Sequence, residues 1–225
     1  MRSERPRSGQ SKRLGIERLE NRVWRAASVP AAVQGGFLVA TAHPADNGVT
    51  IDYIQATNSY QVIGTTPTGS TATTINGLDT SVPANAQIFT NVTKGLKITL
   101  NAGNDNLVFG AATSSTFVVV GTVQIDAGLG NDTVAIGRNG NAAGGAAPIE
   151  NEFNVGKSME IKLGGGNDTL DITNTTVANA LVIHADVNSP LQVNADGSDT
   201  IRFPTTFTPS GGTLQNFPVT VGGKT

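Results

Sequence analysis

From about residue 49 onward the chain alternates apolar and polar positions in short runs, each closed by Gly, Asn, Asp or Thr. Alternation with a period of two places successive side chains on opposite faces of a strand. Four segments align without gaps around an aspartate: GNDNLVF at 103–109, GNDTVAI at 130–136, GNDTLDI at 166–172 and GSDTIRF at 197–203. The apolar residues fall two and four places after each Asp: Leu107 and Phe109, Val134 and Ile136, Leu170 and Ile172, Ile201 and Phe203. A second alternating pair precedes each turn: Ile98/Leu100, Val123/Ile125, Ile161/Leu163 and Leu191/Val193. Third-strand candidates follow at 117–120, 153–155 and 181–184, with 217–221 after the last turn. A degenerate earlier unit is expected over 49–54, 60–63 and 88–92, without the Gly-x-Asp turn.

One such unit has an apolar face and nothing to bury it against. Stacked copies turn those faces into a continuous core. The predicted fold is therefore all-β, a parallel β-helix of four to five three-strand coils. An antiparallel β-sandwich is the alternative, because it also has short strands at this spacing. A sandwich does not require the same turn four times, whereas turns stacked along one edge do.

Residues 1–35 are expected to be a basic, disordered or weakly helical segment and linker, with Ile16, Leu19 and Val23 at helical spacing. The stretch 26–48 reads as a Pro/Ala/Gly linker holding one strand, 37–42, and residues 36–225 as the β domain. The net charge of −2 conceals an asymmetry. Residues 1–25 hold eight Lys/Arg and three Glu, so the remainder carries seven bases against fourteen acids. An acidic body lacks the basic footprint of nucleic-acid binding. The chain has no cysteine, which excludes disulfides and thiolate metal sites. No apolar run is long enough to predict a membrane-spanning helix, and the basic head is not followed by the apolar stretch of a standard signal peptide.

The catalytic motifs G-x-S-x-G, H-E-x-x-H, the P-loop and the dinucleotide fingerprint are absent. Outside the basic head the only arginines are Arg138 and Arg202, and the only histidines are His43 and His184. An enzyme reading would need Asp171, Asp186, Arg138, Arg202 and His184 to converge on one outer face. The remaining chemistry lies in the turns. Stacking would bring Asp105, Asp132, Asp168 and Asp199 into a carboxylate ladder at about 4.8 Å spacing, with Asp126 and Asp196 in the same turns. Like charges that close repel by roughly 3 kcal/mol at an effective dielectric of 20. A hard cation with oxygen ligands, Ca2+ first, would relieve the repulsion. The competing reading is structural: Asp and Asn cap nearby backbone N–H groups, and Asn104, Asn131 and Asn167 ladder without metal.

Two resemblances follow from these residues. Gly128-x-Gly130-x-Asp132-x-Val134 and Gly164-x-Gly166-x-Asp168-x-Leu170 resemble the RTX calcium nonapeptide G-G-x-G-x-D-x-U-x, which implies calcium at the turns. The first glycine of that pattern is missing throughout, and the copies stand one per coil instead of in tandem. The stretch LGIERLENRVWRAAS also resembles the LE-x-LE-x-R segments at the N-termini of exported planctomycete proteins, with Ile16-Glu17 in place of Leu-Glu. It implies export. The expected function is a non-catalytic extracellular or cell-surface structural or adhesion-type repeat module, with calcium as candidate ligand. Its expected partners are a surface polysaccharide or protein, or further copies stacked end to end. A small carbohydrate-active β-helix enzyme is the alternative.

Overall fold

The computed structural model describes residues 27–110, 116–137, 152–172, 174–184 and 200–202. It is all-β, with two short 3-10 turns, Gln55–Thr57 and Pro83–Asn85. Among the described residues no helix is long and apolar enough to cross a membrane. The strands in chain order are β1 (Ser28–Val29), β2 (Ala31–Gln34), β3 (Phe37–Thr41), β4 (Gly48–Ile54), β5 (Ser59–Thr65) and β6 (Thr74–Ile75). Next come β7 (Gln87–Phe89), β8 (Gly95–Thr99), β9 (Asn106–Phe109), β10 (Phe117–Val119), β11 (Thr122–Asp126) and β12 (Thr133–Ile136). The last six are β13 (Phe153–Val155), β14 (Met159–Lys162), β15 (Thr169–Ile172), β16 (Thr175–Val177), β17 (Leu181–His184) and β18 (Thr200–Arg202).

Strands with the same place in the repeat pair with one another, in parallel. The strands before the turn form a six-stranded sheet, β17-β14-β11-β8-β3-β2, and those after it a seven-stranded sheet, β18-β15-β12-β9-β4-β5-β7. A three-stranded sheet orders β10-β13-β16, and β1 pairs with β6. The registers carry the apolar alternation from strand to strand. Leu38, Leu96, Val123, Met159 and Leu181 are successive partners in one sheet. Val49, Leu107, Val134, Leu170 and Ile201 are successive partners in the other. At the corner between the two sheets, Ala42, Leu100, Ala127 and Leu163 are all buried. The inward residues join one hydrophobic core, where each fully buried aliphatic or aromatic side chain contributes roughly 1.5–3 kcal/mol. Phe117 stacks on Phe153 at 4.7 Å between ring centroids, and Phe109 meets both rings edge-on.

Parallel pairing prevails over the antiparallel alternative. The three antiparallel strand-to-strand pairings among the described residues all lie at the N-terminal side: β2 on β3, β4 on β5, and β5 on β7. The linker expectation for 26–48 is corrected in part: the strand expected at 37–42 is β3, but β1 and β2 precede it, and Val29, Ala31, Leu38 and Ala40 enter the core. The degenerate unit is corrected as well. Of its three expected strands only β4 joins the parallel ladder, through β9, while β5 folds back on β4 across the turn at Gln55–Thr57. Asn58 closes that turn in the left-handed conformation, which Asn tolerates. A third correction concerns Leu181–His184. It pairs with β14 as a strand before the turn, and the third strand of its repeat is β16. Thr175 and Thr176 hide β16 from any search for apolar alternation. The strand expected around Leu191/Val193 lies outside the described residues.

The turn glycines follow from how closely the stacked backbones approach. At Gly130 (φ +128°) an added Cβ would lie 1.8 Å from the Gly103 carbonyl oxygen; at Gly166 (φ +136°) it would lie 1.9 Å from that of Gly130. Backbone, not a movable side chain, occupies the space. Gly130→Ala is expected to destabilise the domain by about 3 kcal/mol or more. Gly77 also has positive φ, but nothing lies within 4 Å of its Cβ position, so Gly77→Ala is expected to cost only about 1 kcal/mol. Chemical denaturation of the two variants measures the difference.

Candidate functional site: a buried aspartate column

The repeated turns place a residue pair at each level of the stack. Because Asp105 precedes Leu107 by two positions, it shares the inward face, and so do Asp132 and Asp168. Their exposures are 2%, 1% and 1%. Each carboxylate reaches back to the preceding level. Oδ1 of Asp132 accepts the backbone N–H of Asp105 at 2.8 Å, and Oδ1 of Asp168 that of Asp132 at 2.8 Å. The neighbouring asparagines run the other way on the exposed side. Oδ1 of Asn104 accepts the N–H of Asn131, and Oδ1 of Asn131 that of Asn167, both at 2.8 Å. From Asn104–Asp105 to Asn167–Asp168, each level is therefore tied to the next by two reciprocal side-chain-to-backbone bonds. The asparagine ladder expected from the sequence is present, with backbone donors in place of amide-to-amide contacts.

The column begins one level earlier than the repeated motif. β4 pairs with β9 so that Gly48 faces Asn106, which sets Asn47 opposite Asp105 and Asp46 opposite Asn104. The Asn47 N–H donates to Asp105 Oδ1 at 2.7 Å, and its side-chain amide donates to the same oxygen at 3.0 Å. Asp46 Oδ1 accepts the Asn104 N–H at 2.8 Å, and its Oδ2 accepts the Ser70 hydroxyl at 2.8 Å. The first level thus repeats the pair in inverted order. A signal was present: Val49 and Ile51 follow Asn47 at the same two- and four-residue spacing. The missing Gly-x-Asp hid it. Ala45 holds the place of Gly103 at this first level.

The remaining sequence candidates separate. Asp126 ends β11 on its outward face, exposed, opposite Thr99 and Lys162; it is not part of the column. Asp196 and Asp199 lie outside the described residues, although β18 extends the register from Thr169 to Thr200. Of the residues an enzyme would need, Asp171 is on the seven-stranded sheet opposite Arg202, while His184 is on the six-stranded sheet. His184 Nε2 and Lys162 Nζ each lie 3.5 Å from Glu160 Oε1. Arg138 and Asp186 lie outside the described residues.

The column is electrostatically costly when ionised. Oδ2 of Asp105 and of Asp132 is buried and accepts no hydrogen bond, and the same holds for Oδ1 of Asn47. Burial pushes the Asp105 carboxyl up to about 6, against the bonds from Asn47 that lower it. Burial, with the charges of Asp105, Asp168 and Asp46, pushes Asp132 up to about 7. A hard cation beside the orphaned oxygens or a proton on them would satisfy this arrangement. No group of three or more His, Cys, Asp or Glu converges on one point among the described residues, so cation binding here would draw on oxygens spread along the column.

A carboxyl raised above its unfolded value, ordinarily 3.8, favours folding while protonated. That stabilisation is complete below about pH 4 and is lost as pH rises through about 6 for Asp105 and 7 for Asp132. Each group changes stability by up to about 1.4 kcal/mol per pH unit in that window. In chelator, the chain is expected to melt at progressively lower temperature from pH 5 to pH 8, and Asp132→Asn is expected to flatten the slope. A melting temperature that holds level or rises over that range would contradict the electrostatics.

No protein-family model matches the chain, and no curated protein or solved structure matches it.

Proposed function

We propose that the chain is a parallel β-helix serving as a non-catalytic structural or adhesion-type module at the cell surface or outside the cell. Its inner aspartate column is the element that holds cations, calcium first. The observation that carries this reading is the reciprocal ladder, in which identical pairs stack level upon level with one oxygen of Asp105 and of Asp132 left unmet in the core. A natural scaffold leaves few buried acceptors unsatisfied. An unmet oxygen repeated at two successive levels has the chemistry of a hard-cation site, with Asp105 and Asp132 as its holders. Bound there, a divalent ion would neutralise carboxylates that otherwise repel.

Several features support a scaffold over an enzyme. Among the described residues, Asp171 and His184 belong to different sheets, and Glu160 is engaged by Lys162 and His184. The resemblance to RTX turns favours calcium, and that of the N-terminal segment to exported planctomycete proteins favours an extracellular place. The six-stranded sheet offers an outward face with Lys97, Gln124, Asp126 and Lys162 exposed on successive strands, a polar surface suited to a polysaccharide or protein partner.

The test is calcium titration of the chelator-treated full chain at pH 8, by calorimetry and thermal melting. Binding with a rise in melting temperature is expected, sharply weakened by Asp132→Asn and left intact by Asp126→Asn. Absence of heat together with an unchanged melt would reduce the column to a structural ladder and remove the cation from the proposal.

A further inference from the structure

The inversion at the first level has a chemical consequence. In the three described levels beyond it, Asn104–Asp105, Asn131–Asp132 and Asn167–Asp168, the buried position is a carboxylate and the exposed one an amide. At the first level the exchange of Asp46 and Asn47 puts the charge outside and the amide inside. The outward carboxylate is fully engaged, one oxygen on the Asn104 N–H and the other on the Ser70 hydroxyl. The inward amide is not. Asn47 is 0% exposed. Its Nδ2 donates to the carbonyls of His43 and Ala45 and to Asp105 Oδ1. Three acceptors around the nitrogen fix the orientation of the amide, since a flip would set oxygen against oxygen. Oδ1 is then left buried without a donor, the condition shared by Oδ2 of Asp105. A merely structural asparagine would leave that acceptor unmet at a cost of about 1–3 kcal/mol.

We infer that Asn47 is the terminal ligand of the column, giving the gap between the first two levels a weaker divalent-cation site with one carboxylate, where the next gap has two. The inference rests on the cation reading above. Asn47 Oδ1 and Asp105 Oδ2 supply this first site; Asp105 and Asp132 supply the next. With one negative charge fewer, the terminal site binds calcium less tightly, so the chain fills from within the stack toward its first level. The same choice limits the charge of the metal-free column, because an aspartate at 47 would face the Asp105 carboxylate directly.

The experiment compares three full-length chains stripped with chelator at pH 8: wild type, Asn47→Asp, and the double variant Asp46→Asn with Asn47→Asp, which restores the pair order of the other levels. Calcium chloride alone is the probe, read by calorimetry and by thermal melting. The weakest calcium site is expected to tighten at least tenfold in both variants. Their melting temperatures are expected to fall below wild type in chelator and to recover in calcium. A variant unfolded in chelator that refolds on calcium addition, followed by circular dichroism, also supports the assignment. If wild type binds calcium and neither variant changes the isotherm, the role of Asn47 is overturned and the cation reading stands. If neither variant folds at saturating calcium, the assignment is likewise overturned. If wild type binds no calcium, the cation reading fails and this inference fails with it.

Discussion

The bond between a backbone N–H at one level and a buried carboxylate oxygen at the next sets the conditions for the rest of the structure. It forms only if the levels stack in register, because the acceptor is fixed by the inward face of a strand and the donor by the turn before it. It also requires the turns to lie almost backbone against backbone, which leaves no room for a Cβ at Gly130 or Gly166. The spacing of apolar residues after each Asp then follows. A carboxylate held inside the corner places the residues two and four positions on in the same core. Length between levels is free by comparison: 58, 27 and 36 residues separate successive donor–acceptor pairs, and insertions leave the register untouched.

The same bond creates the chemical problem of the site. Satisfying Oδ1 commits the carboxylate to the interior and leaves Oδ2 of Asp105 and Asp132 without a partner. A proton or a cation resolves this, and the two have opposite dependence on pH. Protons hold the column together at low pH and leave it as pH rises, which is when deprotonated carboxylates become the better cation ligands. On the proposed reading, the column would couple folding to the protons and cations around it.

Much of this was legible in the sequence. The four aligned turns predicted both the stacking of Asp105, Asp132 and Asp168 and the parallel pairing of the strands that flank them. The orientation of those aspartates was legible too, since each stands an even number of residues from its apolar partners. Treated as turn residues, they were grouped with Asp126 in one ladder, whereas parity puts Asp126 outside and the other three within. What was not legible depended on contacts remote in sequence. Asn47 joins the column through a partner 58 residues away, with a hairpin between them and its pair order reversed. β16 carries Thr175 where β13 carries Phe153, so only its pairing with β13 reveals it.

Buried carboxylates link successive levels through backbone amides. NMR tests this link most directly, by scalar coupling across the hydrogen bond from the Asp105 amide nitrogen to the Asp132 side-chain carboxyl carbon, alongside hydrogen exchange at the same amide. The expected result is a detectable coupling, a matching one from Asp132 to Asp168, and exchange as slow as that of the core strands. Fast exchange at both amides with no coupling would contradict the column and the stacking inferred from it.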